Sequence, residues 1–159
     1  MSDAANRAYV VALTLLARRE LAEAQLRARL TQRTFEDEEV DAAIARLKAE
    51  RALDDRRTAL ACARTQVRLK HRGRARVVRQ IEALGISRDV AREAAEEVFA
   101  EFDEHALLEE ALDRRLRHGL SLTDPAVVRR MHRSLLGQGF DPGRVTALLR
   151  ARIKDIESL

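Results

Sequence analysis

Residues 35–47, Phe-Glu-Asp-Glu-Glu-Val-Asp-Ala-Ala-Ile-Ala-Arg-Leu, hold the pattern that decides the fold. Val40, Ala43, Ile44 and Leu47 fall at i, i+3, i+4 and i+7, the apolar stripe of an amphipathic helix that must pack on another helix. Phe35 stands just before the polar start of that helix, where it acts as a hydrophobic staple on the first turn. The same punctuation returns twice. Ile86 precedes Ser87 and then Val90, and Phe140 precedes Asp141-Pro142 and then Val145. Asp141 followed by Pro142 is a strong helix start, because proline at the first position gives up an amide that has no partner there. Val40, Val90 and Val145 are 50 and 55 residues apart, an interval that suits a three-helix module used three times.

Working outward, nine helical segments are expected: about Arg7–Arg18, Ala22–Gln32, Asp37–Arg51, Arg56–His71, Arg74–Ala83, Arg88–Phe102, His105–Arg117, Ala126–Leu136 and Gly143–Ile156. Gly85 reads as a left-handed cap, and Gly73 and Gly119 as breaks. Ala, Leu, Arg, Glu and Gln dominate, all residues that lose little freedom in a helix, and no alternating strand pattern occurs. Aromatic residues make up only 3% of the 159, too few for one dense core. The expected fold is therefore all-α: an elongated tandem array of three helix-turn-helix-like repeats, at residues 1–53, 54–102 and 103–159. No signal peptide or long apolar run is visible, which predicts a soluble cytoplasmic chain.

The net charge of +4 hides a segregation. Between Arg56 and Ile81 there are nine basic residues and no acid, with Arg64, Arg68 and Arg72 spaced by four along one side of a helix. Between Glu93 and Asp113 there are nine acids and no Lys or Arg. From Arg114 the chain turns basic again, with Arg115, Arg117, Arg129, Arg130 and Arg133. Exposed ion pairs contribute little, about 0–1 kcal/mol each, so internal pairing is a poor explanation for such separation. The expectation is a basic surface on the second module that meets an acidic or phosphate-bearing partner, formed by Arg64, Arg68, Lys70, Arg72, Arg74, Arg76 and Arg79.

Catalytic chemistry finds no foothold. His71, His105, His118 and His132 lie in separate segments without metal-ligand spacing and read as exposed helical residues, so neither metal nor cofactor is expected. No phosphate-cradling glycine loop or nucleophile elbow is present. Asp54-Asp55 sits between helices, where Asp is a natural cap, and Cys62 reads as a small buried hydrophobe. A non-enzyme is expected.

Several stretches together resemble the RecX regulatory family. Leu53-Asp54-Asp55-Arg56-Arg57-Thr58-Ala59 is similar to that family's Leu-Asn-Asp-x-x-Phe-Ala junction. Gly73-Arg74-Ala75-Arg76-Val77 resembles its Gly-x-x-Arg-Ile segment, and Leu84-Gly85-Ile86 its Lys-Gly-Ile. The opening Ala12 to Leu21 looks like the family's first helix, and the resemblance spans about residues 8–155. Asp54 and Thr58 depart from the usual Asn and Phe, and the last module is the least similar. The resemblance implies a modulator of the RecA recombinase, lying along the RecA–DNA filament and inhibiting ATP hydrolysis and strand exchange in DNA repair and the SOS response; a monomer is expected. A direct DNA-binding helix-turn-helix regulator using the same arginines on phosphates is the alternative, and a plain helical scaffold is a third. Against base or single-strand reading, stacking aromatics are nearly absent.

Overall fold

The computed structural model describes residues 2–117 and 119–158. Its elements are all helical: α1 (Asp3–Arg18), α2 (Glu23–Thr31), α3 (Asp37–Ala49), α4 (Asp55–Arg68), α5 (Arg74–Glu82), α6 (Arg88–Phe99), α7 (Glu104–Leu116), α8 (Pro125–Gly137) and α9 (Pro142–Glu157). Three boundaries differ from expectation by three residues or more, one of them the end of the sixth helix, which stops at Phe99 instead of Phe102. The first helix begins four residues earlier than Arg7, because the Ser2 hydroxyl accepts the Ala5 amide and caps it. The fourth stops at Arg68 instead of His71, since His71 takes a left-handed conformation (φ 49°) and turns the chain into α5.

Three separate apolar cores confirm a tandem array. The first gathers Leu15, Leu21, Leu26, Leu30, Val40, Ile44 and Leu47 from α1–α3. The second is built from smaller side chains, among them Ala59, Ala63, Val67, Val77, Ile81, Val98 and Phe99. The third joins Leu108, Leu112, Met131, Leu135, Val145 and Leu149. Helices α1 and α3 pair most closely in the first unit and α4 and α6 in the second, whereas in the third the main pairing is α8 with α9. In so small a core every large side chain matters. Ile81→Ala, at a fully buried position, should cost about 3 kcal/mol, measurable as a lower urea midpoint with an unchanged slope.

The staples are present, with one change of register. Phe35, Ile86 and Phe140 each pack on the core of their own unit. The fourth helical residues after the caps Glu36, Ser87 and Asp141 are Val40, Ala91 and Val145, all fully buried. Ala91, not Val90, is therefore the repeat-equivalent position, and Val90 lies half-buried beside it.

The units are joined by one contact used twice. Between the second and third helix of each unit the chain passes through a left-handed residue: Thr34 (φ 63°), Gly85 (φ 85°) and Gly139 (φ 91°). In the second and third units this turn presses on the start of the preceding unit's middle helix. A side chain on Gly85 would stand 2.5 Å from the Ala24 Cβ, and one on Gly139 would collide with the Arg76 amide. Thr34, the equivalent residue of the first unit, is exposed and carries a side chain there. At the second joint the Gly73 amide donates to the Gln138 carbonyl (2.8 Å) and the Ala75 amide to the Gly139 carbonyl (3.2 Å). At the first, Asp55 accepts the Glu23 amide at 2.7 Å, and Ala22 is buried in the second core. Arg57 completes that joint, reaching Glu20 and the carbonyls of Arg51 and Ala52. Thr58, only 5% exposed, places its hydroxyl 3.2 Å from Glu20, a polar use for a position where phenylalanine was the expected type.

Candidate macromolecular interface

The basic stretch and the acidic stretch fold onto each other. Because α4 packs on α6 and α5 reaches α7, four of the nine cations between Arg56 and Ile81 meet a carboxylate of the acidic stretch, Arg56–Glu97, Arg64–Glu101 (3.3 Å), Arg68–Glu101 (3.8 Å) and Arg74–Glu104, while a fifth, Arg57, pairs with Glu20 of the first unit (2.9 Å). Arg68 and Arg74 also lie over the rings of Phe102 and Phe99, at 5.7 and 5.1 Å. The expectation that internal pairing explains little of the segregation is thus corrected. Each pair adds little stability, and because the five paired cations share four carboxylates, the face keeps a positive excess, smaller than net counting assigned to it.

The seven predicted residues separate into three groups. Arg64, Arg68 and Arg74 are ion-paired. Arg72 and Arg76 are half-buried and serve the protein itself: Arg72 donates to the Gln66 side chain (2.6 Å) and Arg76 to the Gly137 carbonyl (2.9 Å). Burial, with Arg76 nearby, lowers the Arg72 guanidinium's affinity for its proton. Lys70 and Arg79 are exposed and have no carboxylate within ion-pair reach among the described residues.

Arg74 and Arg79 line one side of a cleft of about 830 Å³ between the second and third units. Arg88 and Arg92 of α6 and Arg144 of α9 join them there. Glu104 ties this cleft together, pairing with Arg74 and lying 3.9 Å from Arg144, while Arg88 meets Glu82 at 3.9 Å. Arg92, like Arg79, has no carboxylate partner among the described residues. Sequence reasoning missed Arg88, Arg92 and Arg144 because each sits singly among acids or apolar residues and only folding brings them to one opening.

The third unit also keeps uncompensated charge. Arg114 pairs with Glu110 (3.2 Å), and Arg115 turns inward to the Ser134 hydroxyl and the Ala111 carbonyl, where burial lowers its pKa. Arg129, Arg130, Arg133 and Arg150 are exposed and meet no carboxylate among the described residues.

The remaining singled-out residues are structural. Asp54 accepts the Arg57 amide and caps α4. His105 lies 3.8 Å from Glu109, one helical turn away. His71 was expected on an exposed helix; it sits instead in a turn, its side chain 16% exposed and 3.7 Å from Glu110. His132 is half-buried and bonds Thr146, and His118 lies outside the described residues. No group of three or more His, Cys, Asp or Glu side chains suited to a metal occurs among the described residues. No helix there is long and apolar enough to cross a membrane. Cys62 packs half-buried against the second core, and burial raises its pKa while Arg72 opposes the shift. As pH rises, the unfolded thiol ionises first, so the thiol's contribution to stability is lost on the alkaline side. Cys62 should therefore alkylate slowly in the native protein near neutral pH and rapidly in urea, as followed by mass spectrometry.

Comparison with known proteins bears on what such an array is for. The family model described as RecX, first three-helix domain, matches residues 8–47. A Regulatory protein RecX from Thermus thermophilus is 41% identical over 140 residues, covering 87% of both chains. The chain belongs to the RecX family. A second RecX protein, from Treponema pallidum, is 35% identical over 112 residues, covering 70% of this chain and 68% of its own. The crystal structure of RecX from Lactobacillus salivarius superposes with a TM-score of 0.80 over the full length of both chains at 16% identity, which establishes the shared fold. The RecX likeness thus reaches well beyond the first unit, through the joints that Gly85 and Gly139 form.

Proposed function

We propose that this protein regulates without catalysis, binding the RecA–DNA filament and inhibiting its ATP hydrolysis and strand exchange. The observation that carries the reading is membership of the RecX family over 87% of the chain. The architecture supports it. Three units joined in sequence by close turn-to-helix contacts form a tandem row, a shape suited to lying along a repeating polymer. Such a row needs charged contacts and no reaction centre. Among the described residues the second unit offers Lys70 and Arg79 exposed and without carboxylate partners, and Arg64, Arg68 and Arg74 with theirs, while Arg72 and Arg76 are held by internal hydrogen bonds.

The test adds the purified chain to RecA, single-stranded DNA and ATP and follows hydrolysis. Suppression at protein levels too low to coat the DNA is the expected result. Absence of suppression, together with salt-sensitive binding to DNA alone, would overturn the reading in favour of a direct DNA binder.

A further inference from the structure

We propose that the third unit carries a second docking site, a groove between α8 and α9 that takes an acidic segment of the partner protein bearing a bulky apolar side chain. The groove has a volume of about 410 Å³. Half-buried Val128 and Ile153, with the buried Leu149, form its apolar lining, the His132 ring and the Thr146 hydroxyl, 3.2 Å apart, share it, and Arg129, Arg133 and Arg150 stand around it. Arg129 and Arg133 are one turn apart on α8, and Arg150 faces them from α9, so three guanidinium groups share one opening. None meets a carboxylate among the described residues, in contrast to the second unit, where Glu97, Glu101 and Glu104 are interleaved with the arginines.

Charge and shape together choose the occupant. Three like charges around one opening repel each other until an anionic group enters, and the planar guanidinium fork matches a carboxylate. A phosphodiester backbone would satisfy the arginines but has no bulky apolar group for the Val128–Leu149–Ile153 surface. An acidic peptide with a buried anchor satisfies both, the usual arrangement of an energetic centre ringed by polar contacts. The inference rests on the reading that the partner is the recombinase. Because the joint at Gly73 and Gly139 links the third unit to the second, two weak contacts on one chain act together as a stronger one.

The experiment measures binding of the full chain to DNA-free RecA and, separately, to a short oligonucleotide across a range of salt. The variants are the triple substitution Arg129→Gln, Arg133→Gln, Arg150→Gln, at exposed positions that glutamine keeps helical, and Ile153→Ala. The triple variant should bind the recombinase about tenfold more weakly, and Ile153→Ala about threefold, with the salt slope for DNA unchanged. Unchanged binding to the recombinase overturns the assignment. So does a DNA salt slope that falls by about 2 to 3, since that would give the arginines to phosphates. If the unaltered chain does not bind DNA-free RecA, the recombinase reading of this groove is withdrawn, a result distinct from binding that the variants leave intact.

Discussion

Gly139→Ala is expected to uncouple the third unit from the second, turning one unfolding transition into two. The substitution meets two costs at once. Alanine at φ 91° carries a backbone penalty, and its Cβ would collide with the Arg76 amide and fall 2.6 Å from the Arg76 Cβ. Neither neighbour is the yielding end of a flexible chain, so the joint must open, and the sum should be about 3 kcal/mol or more. The amides of Gly73 and Ala75, which donate across the joint, should lose their protection from hydrogen exchange while those of α2 and α3 keep theirs. Gly119→Ala is the control. Its φ of 75° imposes a similar backbone cost, but beyond its chain neighbours no atom of the described residues lies within 4 Å of the added carbon, so it should cost about 1 kcal/mol and leave the melt unsplit. A Gly139→Ala protein that melts like the Gly119→Ala protein would show that the joint does not hold the array together.

The second large effect concerns inhibition. Lys70→Glu combined with Arg79→Glu should raise the protein concentration needed for half-inhibition of RecA ATP hydrolysis by more than about tenfold. Both residues are exposed and without a carboxylate partner, so reversal changes the sign of the field without breaking an internal contact. The helical circular dichroism should therefore be unchanged. Arg64→Gln combined with Arg68→Gln should shift the same concentration by less than about threefold, because Glu101 already neutralises much of their charge. The reverse ranking, with the paired arginines dominant, would mean that the partner displaces Glu101, and it would remove Lys70 and Arg79 from the interface.

Most of the helical order was legible in the chain. Periodicity placed nine segments, and the Phe35, Ile86 and Phe140 staples marked the start of each third helix. The errors have local causes. The α1 start was missed because a lone Ser2 at a chain end gives no periodic signal, although its hydroxyl caps the helix. Val90 stood in for Ala91 because apolar size was read in place of position counted from the cap. The candidate site was less legible. Segregation of charge along the sequence does not mean unbalanced charge in space, because α4 and α6 interleave the two runs. Arg79 and Arg92 come from different helices, and their shared cleft exists only after folding.

The amino-acid order by itself determined that the chain is helical, that it repeats, and where each repeat starts, because these follow from side-chain periodicity and capping within a few residues. The tertiary structure alone decided how the units are fixed to one another and which arginines remain uncompensated. Both depend on distances between residues far apart in the chain: Gly73 against Gly139, Arg64 against Glu101, Arg133 across from Arg150. Electrostatic interaction falls with separation in space, and no count along the sequence supplies that separation.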